Sequence, residues 1–209
     1  MFRVKICGLT SPRDVRAAVK AGADALGFQM SRGPRKLTPK KAASLARLVP
    51  PHVLKVGVFV DEPVRKVRQL AKRCGFDAVQ FSGDETPRDC RTAGLPVIKA
   101  VRMKNVKTPS RYRAYPVAAL LLDRYNPVLR GGTGHSFDWR WARAASRLRI
   151  PVLLAGGLNP ANVASAVRTA RPFGVDAASG VEQSPGVKDI RKVALFVKRA
   201  RRAFSPGRR

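Results

Sequence analysis

A thiol, a carboxylate and two glycine turns are the groups in this 209-residue chain whose type and position could do chemistry. Cys7 stands in Lys5-Ile6-Cys7-Gly8-Leu9-Thr10, where a short apolar run ends, glycine allows a turn, and Ser11-Pro12 can cap and open a helix. That order puts the thiol at the carboxyl end of a strand. A thiolate there is a competent base if nearby positive charge lowers its pKa from about 8.5; the plainer alternative is a small buried apolar residue, the usual place of a free cysteine. Asp123 directly follows Leu120-Leu121-Leu122. It either pairs with a neighbouring arginine such as Arg124 or has a raised pKa and donates a proton near neutrality. Gly156-Gly157 and Ser179-Gly180 follow two further apolar runs. Such turns can present backbone N–H groups and helix N-termini to a phosphate.

Three other stretches stand at strand ends. Gln29 to Lys36 is basic and turn-rich, suited either to an anionic group or to solvent. Asp84 and Glu85 precede a helix, and the expectation for them is structural, as complements to its N-terminal dipole. Arg130 to Trp139 contains Gly131-Gly132-Thr133-Gly134 and reads as a long loop able to approach a ligand, with Phe137 and Trp139 packing the helix that follows.

The elements that must hold these groups repeat. Apolar runs occur at Phe2–Ile6, Ala25–Phe28, Leu54–Val60, Ala78–Phe81, Val97–Val101, Val117–Leu122, Val152–Ala155 and Val175–Ala178. Several lack polar alternation, as parallel strands covered on both faces do. Amphipathic stretches lie between most of them, opened by Ser11-Pro12, Thr38-Pro39, Thr86-Pro87 and Asn159-Pro160. Lys104 to Tyr115 is too polar and proline-broken to read as a helix. Strict alternation of eight strands with helices predicts an α/β protein, a single (β/α)8 TIM barrel over residues 1–204 with a short basic tail at 205–209. The competitor is an open doubly wound sheet, but no G-x-G-x-x-G follows the first strand. In a barrel the site lies at the carboxyl ends of the strands, where the groups above fall.

Composition narrows the function. With 42 basic and 13 acidic residues the net charge is +29, which raises the question of a polyanionic partner. The cations are spread along the chain at polar helix positions, so a solvated basic surface is expected, with non-specific polyanion binding and no dedicated nucleic-acid site. Three cysteines without framework spacing argue against a disulfide scaffold, and His52 and His135 form no metal pattern. The first residues lack the apolar core of a signal peptide and no run spans a membrane, so a cytoplasmic location is expected.

The chain resembles the phosphoribosylanthranilate isomerase family along nearly its whole length. The resemblance rests on Lys5-Ile6-Cys7-Gly8-Leu9-Thr10, Gly131-Gly132-Thr133-Gly134 with Phe137-Asp138-Trp139, Leu154-Ala155-Gly156-Gly157-Leu158-Asn159-Pro160 with Asn162-Val163, and Ser179-Gly180-Val181-Glu182 with Pro185-Gly186 and Lys188-Asp189. It implies an Amadori rearrangement of an aminoaldose phosphosugar, with Asp123 as general acid and Cys7 as general base. It also implies Arg35 on the anthranilate carboxylate and Gly156, Gly157, Ser179 and Gly180 around the phosphate. No metal or organic cofactor is implied, and the assembly would be a monomer or homodimer. Three positions depart from the family pattern. Gly33-Pro34-Arg35 is one residue short of the usual loop, which makes Arg32 a rival for the carboxylate; Ser82 stands where a histidine is usual; and Ala178-Ser179 replaces a serine pair. A related aminoaldose of histidine biosynthesis and a non-enzymatic polyanion-binding barrel are the competing functions.

Overall fold

The computed structural model describes residues 2–103, 109–124 and 149–205. Eight strands follow one another in chain order: β1 (Val4–Cys7), β2 (Ala25–Gln29), β3 (Leu54–Phe59), β4 (Ala78–Phe81), β5 (Val97–Met103), β6 (Ala119–Arg124), β7 (Val152–Leu154) and β8 (Gly174–Ala177). Each pairs in parallel with the next, and β8 pairs with β1, closing the barrel. All eight carboxyl ends therefore open on one mouth.

The helices between them are α1 (Pro12–Lys20), α2 (Pro39–Ala46), α3 (Val64–Cys74), α4 (Pro87–Thr92), α5 (Val163–Ala170) and α6 (Ile190–Phe204). Polar residue plus proline opens three of them as expected. The Ser11 and Thr38 hydroxyls accept from the N–H groups of Asp14 and Lys41, and Thr86 forms a reciprocal box with Asp89. Asn159-Pro160 does not follow the pattern, because α5 starts only at Val163. The Asn159 carboxamide oxygen accepts from Ala161 N and Asn162 N and makes a tight turn there instead. Pro109–Ala114 forms a 3-10 turn, and residues 104–108 and 125–148, with the glycine-rich loop and the Phe137/Trp139 segment, lie outside the described residues. So does the end of the basic tail, 206–209.

The core has two parts. Val4, Ile6, Leu26, Phe28, Phe59, Val79, Leu120, Leu122, Val175 and their neighbours pack between sheet and helices. A smaller set, including Phe2, Ala25, Val56, Ala78, Ile98, Ala119, Leu121 and Leu153, fills the barrel's interior. Partners in register on parallel strands share a face, and alternate residues along a strand share it too. Lys5 pairs with Ala25 and Asp176 pairs with Lys5, so both point inward. Cys7, Gln80 and Asp123 each lie two residues beyond an inward position, at Lys5, Ala78 and Leu121. The interior is thus apolar at its floor and polar at its mouth.

Several of the scarce carboxylates are spent inside. Asp14, Glu85, Asp176 and Glu182 are buried, while Asp24 accepts from Arg3 N and Val4 N and pairs with Arg201. Glu85 accepts from Asp61 N and Gly83 N and holds the buried Lys99 ammonium at 2.7 Å. It is structural, as expected, but through these bonds and not through the helix dipole. The surface left behind is a dense field of like charge in a protein of net charge +29. Melting at low and then moderate ionic strength tests its cost. Shortening the Debye length from ~30 Å at 0.01 M to ~8 Å at 0.15 M should raise the Tm, by about 2–4 °C for each kcal/mol of repulsion relieved. An unchanged Tm would mean that the cations are already too far apart to repel.

Candidate active site

Cys7 is the last residue of β1 and is 6% exposed. Its strand partner in β2 is Gly27, where a Cβ would lie 2.6 Å from Cys7 Sγ and 3.1 Å from Lys5 Nζ. Only glycine leaves the hollow that both groups occupy. Burial pushes the Cys7 thiol above its ordinary pKa; Lys5 and Lys188 pull it back, and Asp176 adds to the rise. Positive charge stands beside the thiol as the sequence reading required, but in the resting site desolvation outweighs it.

Gly8 follows with φ of +73° and turns the chain out of the strand. A methyl there would collide with Cδ of Arg35, whose side chain lies across the turn. Arg35 is therefore brought beside Cys7, whereas Arg32 is exposed to solvent. Arg35 is not loose: Nε and Nη2 donate to the two oxygens of Glu182 at 2.8 and 2.6 Å. This is the fork geometry in which guanidinium and carboxylate fix each other. Lys188 Nζ reaches the same carboxylate at 2.7 Å and donates to Ala178 O at 3.0 Å. Burial would raise the Glu182 pKa, but hydrogen bonds from Arg35 and Lys188 outweigh it and hold the carboxyl below its usual range.

Glu182 and Lys188 belong to a small hairpin, β9 (Glu182–Ser184) and β10 (Val187–Lys188), joined by Pro185-Gly186. Thr10 Oγ1 donates to Gly186 O at 2.5 Å, so the hairpin ties the β1 loop to the β8 loop. Just before it, Ser179–Val181 make one 3-10 turn, with Ser179 exposed at the mouth. Gly180 has no room for a Cβ because the carbonyl oxygen of Leu158 occupies that space. The turns after β7 and β8 are therefore in contact. On the β7 side, Gly156 and Gly157 both have positive φ, +84° and +75°. Asn162 braces this turn, its oxygen accepting from Asn159 N at 2.9 Å and its amide donating to Gly157 O at 3.0 Å. Gly157 is exposed, and its N–H meets no acceptor among the described residues. The two touching glycine turns stand after the last two strands, the place where (β/α)8 barrels commonly bind phosphate.

Asp123 stands across the mouth on β6, half-buried, in register with Arg102 of β5. Ser82, where the family usually has histidine, follows β4 and accepts from Gln80 Nε2 at 3.1 Å. Arg35 was singled out from the sequence, but site roles for Lys5, Asp176, Glu182 and Lys188, and the pairing of Arg35 with Glu182, were not. The available signal was position: a lysine two residues before Cys7 and an aspartate at an inward place in β8 both fall on the barrel's inner face, where an unpaired charge is too costly to remain. No group of acidic, histidine or cysteine residues among the described residues could hold a metal ion.

A closed (β/α)8 barrel with a thiol, a carboxylate and two touching glycine turns at its carboxyl mouth has the architecture of a barrel enzyme, whose sites lie at that end. Comparison with known proteins gives the family. Residues 4–199 match the profile described as N-(5'phosphoribosyl)anthranilate (PRA) isomerase. The N-(5'-phosphoribosyl)anthranilate isomerase of Geobacter sulfurreducens is 48% identical over 202 residues, 96% of this chain and 99% of that protein. Its counterpart in Trichlorobacter lovleyi is 46% identical over 205 residues, 98% of this chain and 100% of the relative. The crystal structure of the Thermotoga maritima phosphoribosyl anthranilate isomerase superposes with a TM-score of 0.89 at 40% identity, covering 96% of this chain and 99% of that one. A phosphoribosyl anthranilate isomerase in complex with reduced 1-(o-carboxyphenylamino)-1-deoxyribulose 5-phosphate superposes at 0.86 with 38% identity, covering 96% and 99%. The chain belongs to the N-(5'-phosphoribosyl)anthranilate isomerase family and is an intramolecular isomerase.

Proposed function

We propose that Cys7 and Asp123 perform, as general base and general acid, the rearrangement that this isomerase contributes to tryptophan biosynthesis. In it N-(5'-phosphoribosyl)anthranilate becomes 1-(2-carboxyphenylamino)-1-deoxy-D-ribulose 5-phosphate. The observation that carries the assignment is placement: the two groups occupy inward positions on β1 and β6 at the one polar end of an apolar barrel. Asp123 protonates the ribose ring oxygen, and the ring opens to a Schiff base. The Cys7 thiolate removes the C2′ proton to give the enol-amine, which tautomerises to the ketone. Each step is a proton transfer, so no cofactor enters.

Binding is divided between the two sides of the mouth. Gly156, Gly157, Ser179 and Gly180 take the phosphate on backbone N–H groups already held in place by Asn162 and Lys188. Arg35, oriented by Glu182, takes the anthranilate carboxylate through its remaining N–H groups. Exposure argues against Arg32 for this role. The substrate's phosphate and carboxylate give the basic mouth its use. Three free, buried thiols suit a reducing cytoplasm, and the enzyme would work as a monomer or homodimer.

Loss of anthranilate-type fluorescence on adding freshly generated substrate, with an indole-glycerol-phosphate synthase to withdraw the product, measures turnover directly. Wild type, Cys74→Ala and Cys90→Ala should turn over alike, since both thiols are buried in the outer core. A folded protein without turnover on this substrate, but active on the aminoaldose of histidine biosynthesis, would overturn the substrate assignment and point to the Gly33–Arg35 loop and Ser82.

A further inference from the structure

We propose that Lys5, held by Asp176 beneath Cys7, is the positioning residue that sets the ionisation of the catalytic thiol. The inference rests on the reading of Cys7 as the base and supplies what that reading lacks, a source for the thiolate.

The geometry begins with strand register. Lys5 lies two residues before Cys7 on the inward face of β1, and Asp176 is its direct partner in β8. Lys5 Nζ donates to Asp176 Oδ1 at 2.8 Å, and the lysine side chain is wholly buried. The hollow over Gly27 contains both Nζ and Sγ, the former 3.1 Å and the latter 2.6 Å from the place of an absent Cβ. An ammonium carries three donors, and Asp176 takes one. The thiol shares this hollow with the ammonium, so the lysine's charge acts on the sulfur at short range.

Each member of this chain has a separate task. A lysine buried alone in a barrel would lose its proton. Asp176 opposes this: burial works against the ammonium, but Asp176 and Cys7 together outweigh it and keep Lys5 charged above its ordinary range. The retained charge then offsets part of the burial that favours the Cys7 thiol, and so brings the thiolate closer to neutral pH than burial alone would allow. Other groups act on Cys7 as well. Lys188 from β10 and Arg35 from the β2 loop add positive charge, and Asp176 opposes them. Asp123 stands on β6 across the mouth. Lys5 has first place among the cations because it alone shares the strand, the face and the hollow with the sulfur.

The test uses Cys74→Ala/Cys90→Ala protein, in which Cys7 is the sole thiol, and follows its alkylation by iodoacetamide against pH beside the pH profile of kcat/KM. Lys5→Met should move the alkylation midpoint up by about one pH unit or more, the range expected for loss of an adjacent charge. The kcat/KM profile should move with it, so that activity near neutrality falls about tenfold per unit while KM stays close to wild type and rate returns at high pH. Lys5→Met leaves Asp176 buried without its partner, so Lys5→Met/Asp176→Asn is measured too; it keeps the shape, removes both charges, and should also titrate above wild type. A folded variant whose Cys7 midpoint stays at the wild-type value overturns the proposal. The two layers separate cleanly: retained turnover in Cys7→Ala removes the base reading, whereas the alkylation midpoint reports on Lys5 in either case.

Discussion

Replacing Cys7 with alanine should leave a folded barrel whose kcat is lower by about 100- to 10,000-fold, the usual worth of one positioned acid or base. Folding survives because the change is small. The sulfur sits in a hollow shaped by Gly27, in a wall otherwise made of Lys5, Asp176 and backbone, and removing one atom leaves those partners paired. KM should move little, since the phosphate cradle and Arg35 do not depend on the thiol. Asp123→Asn should show the same signature, because the amide keeps the shape but cannot supply the proton that opens the ring. The wild-type profile adds a check of sign. Burial raises the Cys7 pKa, so the thiolate fraction, and with it kcat/KM, should climb as pH rises through neutrality. Wild-type kcat in either variant, or a rate that falls as pH rises from 6 to 8 (about the range of histidine chemistry), would remove the assigned roles.

The parts of this molecule differ in how far they could be read from the chain alone, and the reason is range. Strands such as Leu120-Leu121-Leu122 are apolar without alternation because both faces are covered, which is a local property of composition. Helix starts at Ser11-Pro12 and Thr86-Pro87 are equally local, closed by bonds across three residues. Asn159-Pro160 has the same letters but a different outcome, since Asn162 turns back to bond Asn159 and the helix waits until Val163. Cys7, Asp123 and the glycine turns were visible because a barrel sends every strand end to one mouth. Charge pairing was not visible. Lys5 with Asp176 spans 171 residues and Arg35 with Glu182 spans 147, so only the closed barrel brings them together. Glu85 shows the limit from the other side: its structural role was legible, but its partner Lys99 came from the next strand over.

Replacing Glu182 with glutamine should cost about 3–5 kcal/mol, the loss expected when one member of a buried ion-pair group is neutralised. Its side chain is only 4% exposed and serves two cations at once, Arg35 through both oxygens and the fully buried Lys188 at 2.7 Å. An amide keeps one acceptor, turns a donor toward groups that can only donate, and leaves both cations without a counterion. Thermal unfolding should register the change as a Tm lower by about 2–4 °C per kcal/mol. Kinetics should separate binding from chemistry. Arg35 loses its fixed orientation and Lys188 loses the anion that steadies its bond to Ala178 O, so KM should rise more than kcat falls. The pH dependence has a definite sign. The folded pKa of Glu182 is depressed, so its contribution is present above the unfolded value of about 4.3 and disappears as pH falls through the lower folded value. The stability gap between wild type and Glu182→Gln should therefore be full at neutral pH and close in acid. A gap that stayed constant down to the acid transition would mean that lost packing, not lost charge, destabilises the variant.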